Sequence, residues 1–232
     1  MDIPDFPNFS IRGLSEEERG LVHGISSELI SLGMCVRRFQ SALALYQSAT
    51  VHDQQERENY RAALTKDNNG EGDAIRRRRD MFHDWAQIAG RDASLTVYAF
   101  RQSMFEANKL RTKSQRIAAK TNGRAVHNAI ERFNADFPAA KPQRHAAAHE
   151  AEVRQTPERN RAAGPFETKG VNVAGDAQFQ IQGIIGDSVT HTYEGNVLQF
   201  DLTQQNLDRL REIQRLLYDA FSPPQETPQQ PC

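Results

Sequence analysis

Apolar side chains in the first part of the chain recur at intervals of three and four residues, the spacing of one helix face. The longest stripe predicts one helix of about seven turns, which continues in polar form to about Leu64. Ser15 and Glu18 form a capping-box pattern, so we expect the helix to begin there. The members of the stripe are Leu21, Ile25, Leu29, Leu32, Val36, Phe39, Leu43 and Tyr46.

Four shorter helices are predicted after a turn-forming cluster of Asn, Asp and Gly residues. Gly90 is expected to end the first of them, and Asp92 or Ser94 to cap the next. Trp85 falls on an apolar stripe and is therefore expected in the core. Pro142 fits the first turn of the last helix, where its missing amide leaves no helical hydrogen bond unmade. The four helices are predicted at about residues 74–89, 92–119, 124–134 and 142–153.

The pattern changes to an alternation of period two in the last quarter of the chain. Three alternating segments separated by glycine-containing turns predict an antiparallel meander of residues 178–182, 188–193 and 196–202. Thr203 is expected to cap a last amphipathic helix that ends before Pro223. The predicted fold class is therefore mainly α, with a bundle of about five helices, a small three-stranded antiparallel β-meander and a C-terminal helix.

These elements predict five consecutive parts of the sequence. A polar stretch broken by several Pro and Gly residues is expected to be a linker, and the Gln/Pro-rich end a disordered tail. The parts are an N-terminal arm (1–14), a helical bundle (15–153), a linker (154–175), the meander with its helix (176–221) and the tail (222–232).

The composition of this 232-residue chain indicates the cellular compartment in which we expect it. No apolar run approaches the roughly 20 residues of a membrane span, and the acidic N-terminus does not resemble a signal peptide. Cys35 and Cys232 are too few for a disulfide framework. We therefore predict a cytoplasmic protein that does not interact with membranes.

The net charge of −1 excludes a uniformly basic nucleic-acid-binding protein, but the charge is unevenly distributed. Residues 74–124 contain 12 basic and 4 acidic side chains, a net charge of +8, between acidic flanks. This band is either a solvated helical surface paired with its neighbours or a binding surface for a polyanion such as RNA. Its candidate RNA-binding residues are Arg76, Arg77, Arg78, Arg79, Lys109, Arg111, Lys113, Arg116 and Lys120.

The predicted fifth helix contains the segment that is most suggestive of chemistry, Arg144-His145-Ala-Ala-Ala-His149. An arginine, a polar residue and a histidine five positions on, late in a helical region, resembles the signature of the HEPN superfamily. Many members of that family are metal-independent RNases that act as dimers, often as toxins or phage-defence proteins. The resemblance implies an RNase of this kind here, a homodimer without metal or other cofactor, in which Arg144, His149 and His145 form the catalytic site.

The residue types suit cleavage of RNA without a metal ion. Histidine titrates near neutral pH and can act as general acid or base, so His149 would transfer protons. Arginine presents a planar fork of donors and stays charged, so Arg144 would bind phosphate. His145 would orient the site. Five residues correspond to about 140° around a straight helix, so Arg144 must reach around the helix, the helix start must be distorted, or a second subunit must complete the site.

Two other interpretations of this segment remain open. His145 and His149, at i and i+4, share a helix face and could bind zinc, but no third ligand is evident. Alternatively, His149 packs against alanine and valine neighbours while Arg144 pairs with a nearby glutamate. The protein would then be a non-catalytic helical interaction or regulatory module with a cognate protein partner.

Overall fold

A computed structural model describes residues 13–64, 69–148, 161–168, 171–175 and 178–222. Within these ranges the chain forms six helices and seven short strands. The helices are α1 (Glu16–Leu64), α2 (Asn69–Thr112), α3 (Gln115–Ala119), α4 (Gly123–Asp136), α5 (Ala140–Ala148) and α6 (Gln204–Phe221). The strands are β1 (Ala162–Ala163), β2 (Phe166–Thr168), β3 (Val171–Val173), β4 (Gln178–Phe179), β5 (Gln182–Ile185), β6 (Ser188–Tyr193) and β7 (Asn196–Asp201).

The predicted mainly α fold, with its small β region and final helix, is confirmed. The long first helix begins with the predicted capping box. The Ser15 backbone amide donates to Glu18 Oε2 at 3.0 Å, and the Glu18 amide donates to Ser15 Oγ at 3.2 Å. At the other end of the described chain, the Asn206 amide donates to Thr203 Oγ1 at 3.4 Å, so Thr203 caps α6 as expected.

The predicted helix boundary at Gly90 is wrong, because α2 runs through this residue without a break. Gly90 is buried, and a Cβ atom at this position would lie 3.4 Å from Ile184 Cβ and 3.4 Å from Val189 Cγ2. Gly90 therefore packs against β5 and β6 inside the helix, where an added methyl group would meet both strands in ordinary van der Waals contact. Asp92 is not a helix cap either, since it lies inside α2 and pairs with Arg38 of α1 through Nε at 2.9 and 3.0 Å.

The three-stranded meander is formed by β5, β6 and β7, in that order and all antiparallel. Its central register places Val189 opposite Phe200, and both side chains are buried. Its first strand starts at Gln182 rather than Gln178, because Gln178–Phe179 instead pairs with Ala162–Ala163. The expected linker thus supplies β1, and its β2 and β3 pair with each other as an antiparallel hairpin. Residues 154–160 and the tail from 223 onward lie outside the described residues.

The chain divides into two compact units, each built from segments that are far apart in sequence. The first unit comprises residues 13–36, 99–138 and 208–222 of the described chain. In its core the Phe100 and Phe133 rings stack with their centroids 5.7 Å apart. The buried Tyr218 hydroxyl donates to the Leu29 carbonyl at 2.8 Å, so α6 is bonded to α1 within this unit.

The second unit comprises the described residues of 37–98 and 139–207, and it contains all seven strands. Phe39 of α1 packs on Phe200 of β7, with ring centroids 6.4 Å apart. Gln87 of α2 accepts a hydrogen bond from the Ile184 amide through Oε1 at 2.9 Å. The meander is thereby held against both long helices by apolar packing and by side-chain hydrogen bonds to its backbone.

Glu18 makes the stability of the first unit depend on pH. The hydrogen bond from the Ser15 backbone amide, then the one from the Ser114 hydroxyl, and the charge of Arg116 lower the pKa of Glu18. A lowered pKa in the folded protein means that this stabilisation is complete above the ordinary carboxyl pKa and is lost as the pH falls through the folded value. We expect the free energy of unfolding to fall less steeply below about pH 5 in Glu18→Gln than in the wild type.

The measurement is urea unfolding at a series of pH values, with Glu17→Gln as the matched control. Glu17 is an exposed carboxylate in the same first turn of α1. Identical pH slopes for Glu18→Gln and the wild type would contradict this role of Glu18.

Candidate functional site

Arg144 lies in the second unit, on the short helix α5, which has Pro142 in its first turn as predicted. The side chain is half-buried, and its Cζ atom lies 5.2 Å from the centroid of the Tyr98 ring. Among the residues that the structure describes, Arg144 takes part in no ion pair. A guanidinium group above a ring keeps the donors at its edge available, so Arg144 is positioned while its N–H groups can still bind an anion.

The residue before Arg144 attaches α5 to the meander. Gln143 is only 1% exposed, and its Nε2 atom donates to the Val189 carbonyl of β6 at 3.2 Å. Ala140 at the start of the helix is also buried. Burial of an amide without a partner is costly, so this hydrogen bond favours one position of α5 on the sheet. The position of Arg144 therefore depends on Gln143.

Replacing Gln143 by alanine is expected to lower the free energy of unfolding by about 1–3 kcal/mol, because the Val189 carbonyl loses its buried donor. Denaturant unfolding followed by circular dichroism measures this loss. Gln115→Ala is the matched control, since Gln115 is exposed at the start of α3. Equal stability of the two variants would show that Gln143 does not hold α5 in place.

The two histidines of the motif lie at and beyond the end of the described part of α5. The backbone of His145 belongs to α5, but its side chain lies outside the described residues, and so does the whole of His149. The convergence of Arg144, His145 and His149 on one site therefore stays a prediction from sequence.

The four consecutive arginines lie in the second unit, and three of them bind side chains of α1. Arg78 forms a two-pronged ion pair with Glu56, with N–O distances of 3.0 and 2.9 Å, and this hydrogen bonding lowers the pKa of Glu56. Arg79 Nε donates to Asp53 Oδ1 at 3.1 Å. Arg76 forms a hydrogen bond with Tyr60, and this bond raises the pKa of Arg76. Arg77 is exposed and forms no ion pair within the described part of the chain.

The other five candidate cations lie in the first unit, and three of them bind neighbouring side chains. These contacts are Lys109 with Glu106 at 3.1 Å, Arg111 with Asn108 at 3.0 Å and Arg116 with Glu18 at 3.4 Å. Lys113 and Lys120 are exposed and make no ion pair in the described ranges. Of the nine candidate RNA-binding residues, Arg77, Lys113 and Lys120 therefore have the most accessible charge.

A cleft that sequence reasoning missed lies in the second unit. Its volume is about 430 Å³. It is lined by the polar half of α1, by α2 and by the turn that joins β5 to β6. Asp53 accepts hydrogen bonds from both Arg57 Nε at 2.7 Å and Arg79 Nε at 3.1 Å. Asp80 also lines the cleft, so the charges of its two arginines and two aspartates cancel. The spacing of Asp53 and Arg57, at i and i+4, is the only sequence signal for this arrangement.

The prediction that Trp85 is a core residue is wrong. Trp85 is 37% exposed, and Met81 and Ile88 on the same helix are 40% and 57% exposed. These side chains follow the helical spacing that predicted a buried stripe, but α2 buries a different side, which includes Ile75 and Ala93 and lies about 120–140° around the helix from Met81 and Ile88. An apolar stripe shows which residues share a face, and only the packing of the chain shows whether that face is covered.

Among the described residues, no three His, Cys, Asp or Glu side chains are grouped in a way that could hold a metal ion. None of the helices there has the length and hydropathy that a bilayer crossing requires.

Comparisons with protein-family models, with curated proteins and with solved structures find no match to this chain.

Proposed function

We propose that this protein is a HEPN-like, metal-independent RNase that cleaves RNA by attack of the 2′-hydroxyl group on the adjacent phosphate. The observation that supports the proposal is the state of Arg144, whose half-buried guanidinium group rests on the Tyr98 ring and makes no ion pair among the described residues. An arginine that a ring holds in place, and whose N–H groups no described carboxylate occupies, can bind a phosphate oxygen.

Each motif residue has a defined role in this proposal. Arg144 binds the scissile phosphate and stabilises the negative charge that increases on its oxygens in the transition state. His149 acts as general acid or base on the 2′-hydroxyl or the leaving 5′-oxygen, and His145 orients the site. The dimeric, toxin or phage-defence setting follows from the HEPN resemblance and is part of the same proposal.

The experiment is incubation of the purified protein with single-stranded RNA in the presence of a chelator. Attack by the 2′-hydroxyl breaks the bond from phosphorus to the 5′-oxygen, so the expected products end in a 2′,3′-cyclic phosphate and a free 5′-hydroxyl. An oligonucleotide with a single 2′-deoxy position should resist cleavage at that position alone. Absence of cleavage, or cleavage that requires an added divalent metal ion, would overturn the proposal.

A second candidate is a non-catalytic interaction module with a cognate protein partner. It is favoured by the internal pairing of Arg78 and Arg79, which contribute to the contact between α1 and α2 within the second unit. In this case Arg144 and Tyr98 form a structural pair. The module would then show no cleavage, and Arg144→Ala would lower the free energy of unfolding without affecting any activity on RNA.

A further inference from the structure

Arg144 contacts an aromatic ring on a different helix. Its Cζ atom lies 5.2 Å from the centroid of the Tyr98 ring of α2, within the distance at which a ring face attracts a cation. Both side chains are half-buried, and both residues belong to the second unit. A guanidinium group above a ring can still donate from the N–H groups at its edge. Tyr98 therefore restricts where the Arg144 side chain lies without competing with an anion for its donors.

The two helices that carry these side chains are attached to the same residue of β6. The Val189 side chain lies against Gly90 of α2, and the Val189 carbonyl accepts the hydrogen bond from Gln143 of α5. Gly90 precedes Tyr98 by about 12 Å along the helix axis, and Gln143 directly precedes Arg144. These contacts hold α5 beside this part of α2, so the meeting of Arg144 with Tyr98 depends on β6 and on no local pattern in the sequence.

The Tyr98 ring is attached to a firmly packed part of α2. Four of the five residues before it are at most 1% exposed, namely Ala93, Ser94, Thr96 and Val97. An arginine side chain, in contrast, has many rotamers, and a ligand that fixes it must overcome the loss of that freedom. A ring that already restricts the guanidinium group removes part of this cost from binding.

We propose that Tyr98 is the positioning residue of Arg144, and that its ring holds the guanidinium group in place for a phosphate oxygen of RNA. Tyr98 acts through Arg144 and does not touch the substrate. The inference rests on the proposed function and adds to it a residue outside the Arg144–His149 segment. A purely structural pair of these two residues would stabilise the fold and would have no effect on RNA binding.

The probe is a labelled single-stranded RNA in which every 2′-hydroxyl group is methylated. It has the phosphates of the proposed substrate but lacks the nucleophile, so the proposed reaction cannot cleave it. Fluorescence anisotropy measures its affinity for each variant. The rate of cleavage of ordinary RNA in chelator is measured in parallel, which separates the positioning of Arg144 from catalysis.

Tyr98→Leu is expected to lower the affinity about two- to thirtyfold, the range of a cation–π contact, and Tyr98→Phe should retain most of it. In an Arg144→Ala background Tyr98→Leu should have no further effect, because the group that it positions is absent. Phe105→Leu is the matched control, since Phe105 also lies beneath an arginine, with the Arg101 Cζ atom 4.3 Å from the ring centroid. This control should bind the probe as the wild type does.

A series of fluorinated rings keeps the test valid if Tyr98→Leu does not fold. Fluorine atoms on the ring that Tyr98→Phe introduces withdraw electrons from the ring face and change its shape little. Each added fluorine should therefore weaken the attraction for the guanidinium group and lower the affinity for the probe stepwise. Thermal melting shows whether each variant is folded. Equal affinity throughout the series would overturn the proposed role of the ring.

The outcomes distinguish this inference from the proposed catalysis. The expected affinities without cleavage of ordinary RNA support the role of Tyr98 in phosphate binding and contradict the RNase. Wild-type affinity and rate in Tyr98→Leu overturn the role of Tyr98 alone. An equal loss of affinity from Tyr98→Leu with and without Arg144 also overturns it, since the effect would then not pass through Arg144. A wild-type protein that neither binds the probe nor cleaves RNA overturns both proposals.

Discussion

Alanine at Arg144 or His149 is expected to reduce RNA cleavage in chelator by about a hundred- to ten-thousandfold. A positioned general acid or base contributes an effect of this size, and so His149→Ala should approach its upper end. Arg144→Ala removes a charged donor from the phosphate, a loss of about a hundred- to a thousandfold. Single-turnover cleavage of a labelled RNA measures both variants against the wild type.

The structure provides matched controls for both substitutions. Arg101, like Arg144, is a half-buried arginine above a ring, with its Cζ atom 4.3 Å from the Phe105 centroid. His127 is an exposed histidine on α4 that lies 3.1 Å from Glu131. Arg101→Ala and His127→Ala should cleave RNA at the wild-type rate.

Arg144→Lys distinguishes charge from geometry at the phosphate. Lysine keeps the positive charge but loses the planar fork of donors, so most of the defect should remain. Wild-type rates in both Arg144→Ala and His149→Ala would remove these residues from the mechanism. The activity would then have to be sought in other residues, of which those lining the cleft at Asp53 are the first to test.

Much of the fold follows from local patterns in the sequence. The stripe from Leu21 to Tyr46 continues for many turns, so its spacing clearly indicates a helix. The capping box at Ser15 and the cap at Thr203 depend on groups three residues away. The meander is recognisable because each strand is joined to the next by a short turn. In all these cases the determining contacts lie close together in the chain.

Contacts between distant segments account for what the sequence could not predict. Gly90 resembles a helix stop until Ile184, more than 90 residues later, is seen beside it. The partners of Arg78 and Arg79 depend on the register of α2 against α1, which no local pattern defines. Trp85 belongs to a correct apolar stripe, but its exposure depends on which side of α2 the rest of the unit covers. The three-residue catalytic motif was proposed from sequence, and the structure adds to it only the setting of Arg144.

Gly183→Ala is expected to cause the largest loss of stability among single substitutions in the meander. Gly183 has a φ of +126°, a conformation that residues with a Cβ atom rarely adopt. A Cβ atom at this position would lie 1.9 Å from Gln87 Oε1. This oxygen accepts the Ile184 amide hydrogen bond, and Nε2 of the same side chain donates to the Ile184 carbonyl at 3.4 Å. Alanine therefore introduces backbone strain and also displaces Gln87 from β5.

Together these two effects are expected to lower the free energy of unfolding by about 2–5 kcal/mol, as measured by urea denaturation. Gly164→Ala separates them, because Gly164 has a similar φ of +110° and nothing within 4 Å of the added Cβ atom. It should show the backbone strain alone, about 1–3 kcal/mol. In a Gln87→Ala background the overlap is absent, so Gly183→Ala should there cost only what Gly164→Ala costs. An unchanged effect of Gly183→Ala in that background would mean that Gln87 does not hold β5 against α2.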